Sequence, residues 1–296
     1  MKNMFSPSAL SAALAALLLT CVAPLQAQQA LYGVTFFDNQ VIRFDLGNGN
    51  ATLVGQLAPA NTIAPYGIAS RFGALYTFDA NTDRILQFDP VAASFVGSPI
   101  NIGVGNLIGE GDLAFRSDGI GFLASALDAA TLNPSNDLFS FNLATGTSIR
   151  IGTTNLGGVG TPLDGMAFSA NDVLYGLAQG TSAAGFGTLY TINQTTAELT
   201  LIGDTGVAMN SPFGGLTFGP NGLLYAALDD QLYILNPATG AATLVDPSGG
   251  GINFGAVSGL SFGPIPEPST FAFAVLGAVG LGLGLWRRRV RGVRQT

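Results

Sequence analysis

Residues Gly214–Val245 read GGLTFGPNGLLYAALDDQLYILNPATGAATLV, and this stretch decides the fold. Leu216-Thr217-Phe218 places a small residue between two large apolar ones, and Pro220-Asn221-Gly222 follows as a turn. Leu224-Tyr225 opens a second apolar segment, and Asp229-Asp230 interrupts it. Tyr233-Ile234-Leu235-Asn236 alternates and ends on a turn residue, Ala238-Thr239-Gly240 turns again, and Thr243-Leu244-Val245 closes the stretch. Period-2 patterning, β-branched and aromatic residues, and turns built on Gly, Asn and Asp predict four short antiparallel strands joined by hairpins.

The same unit recurs along the chain. Its first element appears as Gly67-Ile68-Ala69, Leu113-Ala114-Phe115, Met166-Ala167-Phe168 and Leu260-Ser261-Phe262. The third appears as Ile42-Arg43-Phe44-Asp45, Leu86-Gln87-Phe88-Asp89, Phe139-Ser140-Phe141-Asn142 and Tyr190-Thr191-Ile192-Asn193. Aligning Gly67, Asp112, Gly165, Gly215 and Gly259 gives spacings of 45, 53, 50 and 44 residues. Four strands at this period predict the blade of a β-propeller. The first copy starts at Leu31 with a second strand, and the last, Gly259–Phe262, is only a first strand. Joined, they complete one blade and remove the edges that a ring must hide. The expected fold is therefore all-β: a five-bladed propeller over residues 28–263, with one composite blade and four continuous ones. The repeat is similar to NHL-type bacterial propellers, most closely along Leu75–Ile85, but propeller resemblance says little about function.

The chain has no His and one Cys, Cys21, in its first apolar run. Imidazole catalysis, His ligation, thiol nucleophiles and a disulfide scaffold are excluded from the repeat domain. Charged residues are 10% of the chain, against an average of about 25%, while 48% hydrophobic content suffices for a core. Between Gln28 and Pro264 lie 17 acidic and five basic residues, net −12. Such a surface disfavours nucleic acid and favours cations or neutral and basic polymers.

Both ends read as address labels. Lys2, the apolar run Ala9–Ala23 and the Pro24-Leu25-Gln26-Ala27 break predict a signal helix over 1–27, cleaved after Ala27 by the secretion machinery. At the other end, residues 264–270 form a Pro-rich linker, Phe271–Trp286 is apolar without a charge, and 287–296 is a basic tail. The apolar run makes a transmembrane helix about 24 Å long, and Arg287, Arg288 and Arg289 hold the tail in the cytoplasm. Pro266-Glu267-Pro268-Ser269-Thr270, the apolar run and the Arg cluster together resemble the PEP-CTERM sorting signal of Gram-negative bacteria. That resemblance implies an exosortase-like membrane protease as partner. It also implies an inner-membrane-anchored precursor and delivery to the cell surface or an extracellular matrix, near polysaccharide or other surface proteins.

Two constellations are candidates for chemistry. Glu110, Asp112 and Asp164 stand at the starts of inner strands in neighbouring blades. They would form a solvated channel mouth, a carboxylate set for glycosidase-like acid–base work, or a cation site. Asp79, Asn81 and Asp83 alternate as in a Ca²⁺ loop, yet Arg84 stands where Gly is expected and the bidentate Glu is missing; a hairpin turn, where Asp and Asn are favoured, is the preferred reading. No cofactor is demanded, and Ca²⁺ is the one ion with candidate ligands. The expected function is an exported, non-enzymatic binding or structural propeller. The alternatives are a secreted carboxylate-dependent hydrolase or lyase acting on polysaccharide, and a calcium-dependent structural module.

Overall fold

The computed structural model describes residues 29–265 apart from 60–61, 104–106, 109–110, 129–133, 158, 179–185, 210–213 and 247–255. The expected signal and transmembrane helices fall outside the described residues, as do Ala27, the Pro266–Thr270 motif and the Arg cluster. Among the described residues there is no helix, and none is long and apolar enough to cross a membrane.

Five antiparallel sheets form five blades. Blade 1 joins Val257–Pro264 to Gln29–Thr35, Gln40–Phe44 and Ala51–Gln56. Blade 2 is Pro65–Arg71, Ala74–Asp79, Arg84–Asp89 and Ser94–Asn101. Blade 3 is Leu113–Phe115, Gly121–Asp128, Pro134–Asn142 and Thr147–Thr153, with Leu107–Ile108 added beside the far end of Gly121–Asp128. Blade 4 is Gly165–Phe168, Leu174–Ala178, Phe186–Ile192 and Leu199–Ala208. Blade 5 is Gly214–Phe218, Leu224–Leu228, Gln231–Leu235 and Ala242–Leu244. The long 53-residue spacing from Asp112 to Gly165 accommodates a small ribbon, Asn155–Leu156 against Val159–Gly160.

The composite blade closes the ring. Val257–Pro264 pairs with Gln29–Thr35 from Gln29↔Pro264 through Thr35↔Val257, and the Tyr32 hydroxyl donates to the Pro264 carbonyl at 3.1 Å. Chain ends more than 220 residues apart in sequence thereby share one sheet, as the split repeat requires.

The core lies between blades. In blade 3, Leu113, Leu123 and Phe139 pack toward blade 2, while Ala114, Phe122, Ala124 and Leu138 pack toward blade 4. Successive residues point to opposite faces of a strand, and each inner strand is covered on both. That is why the inner triplets carry no charge and are apolar at nearly every position, Thr217 and Ser261 excepted, where a one-sided sheet would alternate. Fully burying one such side chain contributes about 1.5–3 kcal/mol. The outer strands face water: Leu53, Phe95, Ile149 and Leu201 are exposed.

The Asp or Asn that ends each third strand has one task in all five blades. Asp45, Asp89, Asn142, Asn193 and Asn236 each accept the backbone N–H two residues ahead, from Gly47, Val91, Ala144, Thr195 and Ala238, at 2.8–2.9 Å. This is the Asx turn, which starts the hairpin to the outer strand.

Candidate functional site

The inner strands start on one face, here the upper, and converge at the axis. Gly67, Gly165, Gly215 and Gly259 come so close there that a side chain does not fit: a Cβ on Gly215 would lie 2.6 Å from the Leu260 nitrogen, and one on Gly259 would strike Gly67 and Ile68. Asp112 holds the fifth equivalent position, and its carboxylate fills the space the four glycines leave. Oδ1 accepts from the Leu113 N–H at 2.7 Å and Oδ2 from the Met166 N–H at 2.6 Å, with the Leu216 N–H as a further donor. One carboxylate therefore links the inner strands of blades 3, 4 and 5.

Asp112 has no exposure to solvent. Burial pushes its carboxyl well above the usual range, opposed by the amide donors and reinforced by the charge of Asp164. Asp164 precedes the inner strand of blade 4, is 2% exposed, and donates its backbone N–H to the Leu177 carbonyl at 2.8 Å. The structure thus brings Asp112 and Asp164 together. It corrects the expectation of a solvated channel mouth at Asp112, because convergence of the glycines seals the axis at that level. Glu110 lies outside the described residues. The position in blade 1 that corresponds to Asp164, Ser258, serves packing: its hydroxyl donates to the Pro65 carbonyl at 2.7 Å and bridges blades 1 and 2.

Asp79, Asn81 and Asp83 occupy the hairpin between the second and third strands of blade 2. Asp79 is buried, and Oδ1 accepts from the Ala64 and Asn81 N–H groups at 2.9 and 3.1 Å. Its Oδ2 accepts from the Thr82 hydroxyl at 2.6 Å. Its oxygens face protein donors, and they tie the hairpin to the segment entering the blade. Asp83 takes a left-handed φ of 55°, the turn conformation that Asp tolerates.

Below the sealed level the axis opens on the lower face into a cavity of about 350 Å³. Ala69, Ala114, Ala167, Thr217 and Ser261, the small middle residues of the inner triplets, line its wall. Ser70, Ser117, Ser169 and Asp172 stand among its lining residues. The sequence signal for this cavity was the small residue in each triplet, which reads equally as close packing at the axis.

No family model matches the chain, and no curated protein matches it. Solved structures do. A gluconolactonase from Xanthomonas campestris shares 14% identity over 80% of this chain and 85% of its own, at a TM-score of 0.45. A second protein assigned to the gluconolactonases shares 17% over 80% and 85%, at 0.46. A structure from a nidogen–laminin complex shares 12% over 79% and 98%, at 0.46. Similarity at this level speaks to the propeller fold alone. Two of these neighbours carry enzyme names, against the expectation of a non-enzymatic domain, and that expectation is not carried further; names at this level of similarity assign no activity to this chain.

Proposed function

We propose that the propeller is a carboxylate-dependent hydrolase acting on a neutral sugar-derived linkage, a lactone or a glycosidic bond, at the upper face. The observation that supports this reading is the pairing of Asp112 and Asp164 from adjacent blades, with Asp112 biased by burial toward its neutral form. A carboxyl biased toward its neutral form beside a second carboxyl is an arrangement that general acid–base chemistry uses. The domain lacks His and Cys, so carboxylates are the ready proton carriers. Asp112 is enclosed by amide donors and acts as the positioning residue. Asp164 is assigned as the general base: it takes a proton from the water as the water oxygen bonds to the carbonyl or anomeric carbon, and the resulting carboxylic acid returns that proton to the leaving oxygen as its C–O bond breaks. The net charge of −12 disfavours anionic substrates.

The test is a pH-stat assay of the full-length chain on glucono-1,5-lactone and on neutral polysaccharides. Turnover of one of these is expected, with kcat reduced about 100-fold or more in Asp164→Asn. Hydrolysis at the buffer rate, or full activity in that variant, would overturn the assignment.

We infer separately that the chain is exported, anchored by its C-terminal helix and released to the surface or matrix by an exosortase-like protease. Support comes from the order of the Pro266–Thr270 motif, the apolar run and the Arg cluster. The mass of the protein isolated from its host is expected to lack both labels. Normal processing after replacement of Pro266, Glu267 and Pro268 by Ala would defeat the sorting assignment.

A further inference from the structure

On the lower face the first hairpin of blade 2 turns on Phe72 and Gly73, with φ of 50° and 81°. Such a turn takes Asn or Gly at its first position without strain, and a bulky aromatic there is an outlier. Phe72 is also 82% exposed, more than any other large apolar side chain among the described residues. An aromatic ring that is both strained and fully offered to solvent contributes nothing to the core, so its place calls for another reason.

Its surroundings supply one. The Arg71 guanidinium carbon lies 5.0 Å over the Phe72 ring and 5.8 Å from the Phe115 ring. Phe115 and Ser70 line the axial cavity; Arg71 follows Ser70 in the chain and lies against the Phe115 ring, so the pair adjoins that lining without being part of it. Arg71 Nε is buried with no hydrogen-bond partner. Inside, Ser70, Ser117, Ser169, Thr217 and Ser261 contribute one hydroxyl residue per blade to the lining. The Ser117 hydroxyl donates to Asp172 at 2.6 Å, which holds that carboxylate below its usual range.

We propose that this cavity, with the Phe72–Arg71 pair adjoining its lining, is a binding site for the end of a neutral oligosaccharide, on the face opposite Asp112 and Asp164. A volume near 350 Å³ lies in the range of small-molecule sites and suits one or two sugar rings. Hydroxyls that both donate and accept match a polyol. An exposed aromatic face stacks on the C–H face of a sugar ring, its negative quadrupole meeting polarised hydrogens, and the Arg71 guanidinium, oriented by that ring, offers donors to sugar hydroxyls. Asp172 and the acidic domain disfavour an anionic ligand, and Arg71 disfavours a cationic one. The site stands independently of any reaction on the upper face.

The test is isothermal titration of the full-length chain with cellotriose, maltotriose, mannotriose and tri-galacturonate. Saturable binding of at least one neutral trisaccharide is expected. Phe72→Asn and Arg71→Met should each weaken it about five- to tenfold, while Asp164→Asn binds as the wild type does. Phe72→Asn should also melt at a higher temperature, because Asn accepts the left-handed φ; a more stable variant that binds worse cannot be explained by misfolding. The proposal is overturned if no neutral trisaccharide binds, if only the uronate does, if Phe72→Asn keeps full affinity, or if Asp164→Asn alone abolishes binding.

Discussion

Asp112 stands where Gly67, Gly165, Gly215 and Gly259 stand in the other blades, and that single difference changes what the axis is. Its two oxygens face the amides of Leu113 and Met166, so truncation to Ala leaves buried donors unsatisfied. We expect Asp112→Ala to cost about 3 kcal/mol, read from chemical denaturation. The carboxyl also links stability to pH. Burial raises its folded pKa above the unfolded value of about 3.9, so the folded state holds a proton that the unfolded chain gives up. Its contribution is full below the unfolded pKa and is lost as pH rises through the folded one. The melting-temperature difference between wild type and Asp112→Asn should therefore shift against the wild type on going from pH 4 toward neutrality. A difference that does not vary with pH would mean that the amide donors keep Asp112 charged throughout.

Between elements, the recurrent device is an edge-to-face ring pair across four of the five blade junctions. The second strand of one blade supplies one ring and the inner strand of the next supplies the other: Tyr76–Phe115, Phe122–Phe168, Tyr175–Phe218 and Tyr225–Phe262, with centroids 5.2–5.5 Å apart. The junction of blades 1 and 2 differs, because Ser70 holds the position that Phe holds elsewhere and Tyr32 turns its hydroxyl to Pro264. A double-mutant cycle on Tyr175→Leu and Phe218→Leu should return a coupling of about 1 kcal/mol. Additive single effects would show that the pair is ordinary packing. The individual partners were legible in the sequence as recurrent Leu-Tyr and Leu-Xaa-Phe elements. Their pairing was not, since it joins strands about 40 residues apart whose relative tilt no local pattern states.

For the whole molecule, closure is the decisive feature. Blade 1 has no inner strand unless Val257–Pro264 returns to it, and the same strand packs its Leu260 and Phe262 against Tyr225 and Leu232 of blade 5. A chain ending at Ala256 should lose cooperative thermal unfolding. A permuted chain that carries residues 257–265 ahead of Gln29 through a short linker should regain it, because Gln29 and Pro264 are already paired neighbours. Cooperative melting of the truncated chain would show that the ring does not depend on this strand.

The sequence by itself determined the strands, the blade number and the manner of closure. Alternation, turn chemistry and a split repeat are local properties, and repetition makes each copy check the others. The recurring Asp or Asn at the end of the third strand was visible too, and its Asx turn needs only residues two apart. What the tertiary structure alone decided is the fate of the axis. Glu110, Asp112 and Asp164 read alike as carboxylates near inner-strand starts. Only the convergence of five backbones buries Asp112 among the amides of three blades, places Asp164 beside it, and leaves a hydroxyl-lined cavity beneath them. Phe72 likewise reads as an ordinary apolar residue until the turn gives it a left-handed backbone and an exposed ring. These outcomes depend on distances between segments far apart in the chain, which one blade's residues do not encode.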